Sequence, residues 1–384
     1  MNNQLIARRN FLSSSASALA GSALLPSLAK SAHRKGKLLY HTTEISNAEP
    51  VLSELVRNWM TPTDAFYIRS HAPIPKINQD SFRLKVEGLV EKPLSLTLKQ
   101  LGNLPQSKIV ATLTCAGNRR SEHIAIKPVK GVPWKEGAIG NAEWSGAKLS
   151  DVLRMAGVKA EAKHVWFEGL DQIQRSNGVI PFGASIPLIK AMFDSEKMPG
   201  TVLATGMNGE PLNGDHGSPL RTVVPGYIGA RSVKWLGKIV VSDRPSPNHY
   251  VATAYKIVED GTPLEWSEQG PIYRMPLNSA ICSQVKRSKS LIVAGYALPQ
   301  GRPGTSIRKV EVSPDNGRNW IEARITSPSR EFCWVLWTAA IPSRNAGDEL
   351  MVRATDSRGS IQPEQVNWNS KGYLFNSWHK VKTI

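Results

Sequence analysis

Reactive residue types in this 384-residue chain gather in a few short stretches. The densest is 112–122, Thr-Leu-Thr-Cys-Ala-Gly-Asn-Arg-Arg-Ser-Glu, where Cys115 stands between an apolar run and the doublet Arg119-Arg120. Cationic neighbours favour the thiolate, the form that attacks electrophiles and binds soft metals. A small buried cysteine at a strand end fits the same letters. A second stretch, 207–235, sets His216, Arg221, Ser232, Val233 and Lys234 among glycines that free the backbone to approach a ligand. That composition suits a polar anionic cofactor. It contains neither a Walker loop nor a dinucleotide fingerprint, and each His or Lys taken singly also reads as a surface or turn residue. Arg69 and His71 precede Pro73 and Pro75, which hold the connection extended.

These side chains need elements to position them. Residues 109–113 read as a short buried strand and Gly117-Asn118 as turn chemistry, which leaves Cys115 at the strand's carboxyl end. Apolar residues recur at helical spacing over 51–60, and 82–86 alternates as a strand. A short helix over 149–156 is closed by Gly157. Residues 164–171 form a strand running into a turn at Asp171, and 184–188 starts a further helical segment. From about 272 the pattern changes to short alternating strands at 290–294, 307–312, 320–325, 334–338 and 350–355. Asp315-Asn316-Gly317 between two of them is a hairpin signal. Strands at this spacing predict a β-sandwich of immunoglobulin type. The expected class is α+β: a mixed α/β domain over 38–270, then an Ig-like sandwich over 271–384.

Charge narrows the partners. Lys and Arg number 48 against 31 Asp and Glu, a net +17, yet no block of five basic residues occurs. Spread charge of this kind fits an anionic ligand better than nucleic acid. Three cysteines, Cys115, Cys282 and Cys333, cannot all pair, and their wide spacing suits neither a zinc site nor a disulfide framework. No Cys-x-x-Cys-His occurs, so no covalent haem is expected on this chain. The amino terminus carries Arg8-Arg9, then a mildly apolar run and the small-residue site Ser27-Leu28-Ala29. That is the layout of a twin-arginine export signal over 1–29, which predicts a soluble mature protein in the periplasm.

The order of letters around Cys115, followed by Val129-Lys130-Gly131-Val132-Pro133-Trp134, closely resembles the core motif of the sulfite oxidase family of molybdenum enzymes. The resemblance runs from about Tyr67 to the carboxyl end through at least five motifs. It implies that Cys115 is the one protein ligand of molybdenum, held by one molybdopterin per chain. It further implies a cofactor cradle of Tyr67, Arg69, Ser70, His71, Asp171, His216, Arg221, Ser232, Val233 and Lys234, with Ser70 in place of the family's asparagine. Arg69, Arg120 and Lys371 would bind the anionic substrate, Trp134 would shape the pocket and Tyr255 would stand at the reactive oxygen. Ala254 and Lys371 depart from the aspartate and arginine of animal members. The implied reaction is oxidation of sulfite to sulfate in a homodimer joined through the sandwich, with electrons leaving to a separate acceptor such as a c-type cytochrome. Reduction of nitrate or a sulfoxide on the same scaffold, and a noncatalytic exported binding or electron-relay protein, are the alternatives.

Overall fold

Strand Gln106–Thr114, which ends one residue before Cys115, pairs antiparallel with Ile139–Lys148 over its whole length. From Ile109 onward its side chains are almost all buried, as an apolar run covered on both faces requires. The computed structural model in which this is seen describes residues 33–195, 199–262 and 269–384. The twin-arginine segment lies outside the described residues.

The Cys115 strand lies at the edge of a five-stranded sheet. Beyond Ile139–Lys148 come Val202–Met207 and Glu210–Pro211, and Arg221–Val223 also pairs with Val202–Met207. A second five-stranded sheet runs Gly183–Pro187, His164–Gly169, Leu236–Ser242, Leu84–Gly88, Leu94–Leu96. Helix Leu149–Ala156 turns Leu149, Val152, Leu153 and Ala156 inward onto Leu84, Val86, Val165, Phe167 and Ile239. It stops at Gly157, whose φ of +69° a side-chain-bearing residue rarely adopts. A four-stranded ribbon, His33–Lys35, Leu38–Thr42, Asn47–Pro50 and Ile68–Arg69, sets Asn47 opposite Arg69.

The carboxyl-terminal region forms the sandwich. One sheet is Asn278–Lys286, Ser290–Leu298, Val335–Pro342 and Arg324–Ile325, and the other is Ile321–Glu322, Ile307–Ser313, Glu349–Asp356 and His379–Lys382. Between them lie Leu277, Val293, Val310, Val312, Val335, Trp337, Ile341 and Val352. Asn316 and Gly317 both take positive φ, as the Asp-Asn-Gly hairpin demands.

Three local expectations change. Over 51–60 the helix is only Leu52–Leu55, and Trp59 instead pairs with Trp334 of the sandwich, each indole N–H donating to the other's carbonyl. Residues 184–188 do not begin a helix: Gly183–Pro187 is a buried strand, and a short helix starts at Leu188. Strand Asn278–Lys286 was not expected, since its inner half reads Asn-Ser-Ala-Ile-Cys with polar residues turned toward buried partners.

Candidate active site

Six stretches of the chain converge on one cavity of about 70 Å³ that opens to solvent. Its wall carries Cys115, Tyr67, Arg69, Ser70, His71, Asp171, His216, Arg221, Ser232, Lys234 and Tyr255. Eleven of the expected site residues thus come together from positions spread along nearly two hundred residues of chain. Cys115 is held by its backbone, with its N–H donating to the Ala138 carbonyl at 2.8 Å, and its Sγ accepts from the Gly117 N–H at 3.4 Å. Gly229 permits this close assembly: a Cβ there would lie 2.6 Å from Tyr67 Oη and 3.2 Å from the Thr114 carbonyl oxygen.

Arg69 sits on the same wall. Its Nη1 donates to Asn47 Oδ1 at 2.9 Å and to the Ser70 carbonyl, and its Nη2 donates to His71 Nε2 at 2.8 Å. Because a guanidinium can only donate, His71 Nε2 must be a bare acceptor. Burial, then Arg69, Lys234 and other cations, hold that imidazole well below its ordinary pKa and so neutral. Tyr255 Oη reaches the same nitrogen at 3.4 Å. Tyr255 follows a single π-helical turn over Tyr250–Ala254 and stacks on Tyr373, ring centroids 5.2 Å apart. Burial raises its phenol pKa, so it stays a proton donor.

The same cavity holds a cationic cradle. Lys234 Nζ donates to Ser70 Oγ and to the Asp215 carbonyl, both at 2.9 Å, so serine at position 70 serves as a lysine anchor. Arg221 spends its donors on the carbonyls of His216, Ser232 and Thr222. Burial, then Arg221, pushes the Lys234 ammonium down to about 7, and burial lowers Arg221 to about 10. Neither cation is ion-paired with a carboxylate among the described residues. Buried positive charge without a counter-ion is costly, and an anionic ligand would supply one. His216 Nε2 donates to the Thr63 carbonyl at 3.1 Å, and burial drives its pKa to about 3. Asp171 Oδ1 accepts from the Phe182 N–H, and burial raises its pKa.

Four expected site residues lie off the wall. Val233 is fully buried in the core, with its N–H on Thr222 Oγ1 and its carbonyl on the Thr222 N–H, so its backbone has nothing left for a ligand. Trp134 is fully buried beside Cys115 and Tyr67, so it backs the pocket rather than lining it. Arg120 packs over the Tyr373 ring at 5.1 Å and donates to the carbonyls of Gly372 and Val132. Lys371 is half-buried and near His249, whose pKa is lowered by burial first, then by Arg175 and Lys371. Arg119 also differs from the expected thiolate neighbour. Its positive φ of 65° turns its side chain toward Glu122, Asn278 and the Ser377 carbonyl, away from Cys115.

One thiol in a cationic, partly open cavity is a donor set for a soft metal carried by an anionic cofactor, and it defines a metal-cofactor oxidoreductase. Comparison with known proteins agrees. Residues 71–250 match the oxidoreductase molybdopterin binding domain, and 269–384 match the Mo-co oxidoreductase dimerisation domain. The chain is 41% identical to mitochondrial sulfite oxidase of Drosophila melanogaster over 88% of this chain and 61% of the relative's length. It is 39% identical to sulfite oxidase of Arabidopsis thaliana over 91% of this chain and 94% of that protein. A nitrate reductase of Emericella nidulans is also similar, at 36% identity over 88% of this chain and 43% of that protein. The solved structure of the sulfane dehydrogenase SoxCD from Paracoccus pantotrophus superposes with a TM-score of 0.75 at 28% identity, covering 90% of this chain and 87% of that one. The chain belongs to the sulfite oxidase family of molybdopterin enzymes. Its cofactor is molybdenum-molybdopterin.

Sequence reasoning passed over Asn47, Asp215, Phe182 and Tyr250. Phe182 and Tyr250 pack against the imidazole of His71 at 4.9 and 4.6 Å and against each other at 4.6 Å. A lone aromatic or asparagine carries no spacing signal, so only the fold shows these contacts.

Proposed function

We propose that this protein oxidises sulfite to sulfate and hands the electrons to a separate acceptor. The observation that carries this reading is the convergence of Cys115, Arg69 and Tyr255 on one cavity backed by unpaired buried cations. Cys115 would ligate the metal, and Lys234, Arg221, His216, Ser70 and Asp171 would hold the pterin and its phosphate. When bound, molybdenum supplies the oxygen-transfer and two-electron redox chemistry. The chain's own groups do the rest. Arg69, with no carboxylate partner, offers full positive charge to the oxygens of a small dianion. Neutral His71 accepts from the guanidinium, and the Tyr255 hydroxyl lies 3.4 Å from the same nitrogen, so turning its single proton from the imidazole to the reacting oxygen lets Tyr255 donate there. Arg120 and Lys371 add positive potential from beyond the wall, which steers anions inward.

The acceptor in this reading is a separate electron carrier such as a c-type cytochrome. Arg8-Arg9 supports export by the twin-arginine route to the periplasm, and the dimerisation-domain match over 269–384 supports a homodimer. The test is an assay of the purified, molybdenum-loaded protein with sulfite and cytochrome c, ferricyanide or oxygen, run beside nitrate and a sulfoxide with a reduced dye. Sulfite-dependent reduction of the cytochrome is expected. Dye-driven nitrate reduction without sulfite turnover would replace this reading with the reductase one.

A further inference from the structure

We infer that Asn47 is the positioning residue for Arg69, holding its guanidinium toward the substrate anion without cancelling its charge. The inference rests on the sulfite reading above. Asn47 stands directly across the ribbon from Arg69 and is 4% exposed. Its Oδ1 accepts from Arg69 Nη1 at 2.9 Å and from the Ser70 N–H at 3.1 Å. Its Nδ2 donates to Thr42 Oγ1 and to the Ile45 carbonyl, both at 2.9 Å. Every polar atom of the amide is therefore used, and a flip would put N–H groups against the guanidinium and against a backbone N–H. The loop over 42–47 thus fixes which way the amide points, and the amide fixes Arg69.

The chemistry of the partner matters as much as its place. The contacts of the Arg69 guanidinium are an amide oxygen, a peptide carbonyl and a neutral imidazole, and none carries charge. A carboxylate at position 47 would grip the arginine at least as firmly. It would also form a buried ion pair and quench the field that an incoming dianion meets. The same Oδ1 holds the backbone of Ser70, whose hydroxyl accepts from Lys234, so one asparagine sets the placement of two cations.

The experiment uses the full-length, molybdenum-loaded protein and its Asn47→Ala and Asn47→Asp variants. Sulfite kinetics at fixed ionic strength are read beside equilibrium binding of inorganic sulfate, with metal content and thermal unfolding as controls. Asn47→Ala should raise the sulfite KM and the sulfate Kd about tenfold, the loss expected for one misplaced charge-assisted contact. Asn47→Asp should raise both further, while kcat at saturation changes by less than about threefold, the pattern of lost ground-state binding. The Asn47→Asp effect should also largely vanish in an Arg69→Gln background, because coupled residues are non-additive. Unchanged KM and Kd in both variants, or a kcat loss that follows metal loss with sulfate binding intact, would overturn the inference. If Asn47→Asp does not accumulate folded, Asn47→Ala with sulfate binding still decides. A wild-type protein that neither oxidises sulfite nor binds sulfate sinks the sulfite reading itself, a result distinct from active wild type with indifferent variants.

Discussion

Cys115 and Lys371 mark the two ends of what single residues contribute here. The thiol lies on the cavity wall beside Tyr67, whose pKa is raised by burial and then by the cysteine's own charge. Cys115→Ser should fold with an unchanged melting temperature yet lose sulfite turnover, since a hydroxyl is a poor substitute for a soft thiolate. Near-normal turnover by a metal-loaded serine variant would remove the ligand assignment. Lys371 lies off the cavity wall and makes its contribution at a distance, through a charge that adds to burial and Arg175 in lowering the pKa of His249. Lys371→Met should raise the sulfite KM about threefold at low salt, and the effect should fade as ionic strength shortens the screening length. A salt-independent change would place the lysine in direct contact with substrate.

At the scale of elements, close approach between the 229–231 turn and the Cys115 strand is a sharp constraint. A methyl at Gly229 would collide with Tyr67 Oη and crowd the Thr114 carbonyl, at 2.6 and 3.2 Å. Gly229→Ala should cost about 1–3 kcal/mol of stability and lower molybdenum content, read by thermal unfolding and metal analysis. A fully loaded, equally stable Gly229→Ala protein would show that the turn can retreat freely. How far such elements were legible in sequence follows from what encodes them. The Cys115 strand and the 149–156 helix announce themselves through unbroken apolar runs and a capping glycine, both local signals. Asn278–Lys286 did not, because its polar inner residues are satisfied by Phe375, Gln362 and Arg119 from remote segments. Likewise the Arg119-Arg120 doublet reads as one cationic patch. Only the left-handed backbone at Arg119 reveals that the two guanidinia face different halves of the molecule.

For the whole molecule, buried imidazoles set an acid limit. His216 has a folded pKa of about 3 against 6.5 unfolded, so between those values the unfolded chain binds a proton that the folded one refuses. Stability therefore falls as pH drops below 6.5, by about 2 kcal/mol at pH 5 from this residue alone. His216→Gln should flatten the acid limb of a melting-temperature profile even where it weakens the fold at neutral pH, and an unchanged slope would show that His216 is protonated in the native state. The proposed export offers a second whole-molecule test: replacing Arg8 and Arg9 together by lysine should leave the protein inside the cell, and unchanged fractionation would remove the twin-arginine reading.

The tail has a consequence for how this enzyme comes into being. Leu374 donates its N–H to the Ala116 carbonyl, and Gly372 accepts from Arg120. Residues 332–334 of the sandwich complete the edge of the Cys115 strand through Phe332, Trp334 and Thr112. Every residue on the cavity wall lies at or before Tyr255, yet the Cys115 strand and its turn are braced by segments that leave the ribosome more than two hundred residues after the cysteine. A nascent chain lacks these braces until the sandwich and the tail are made, so metal insertion into the fully braced site follows their synthesis.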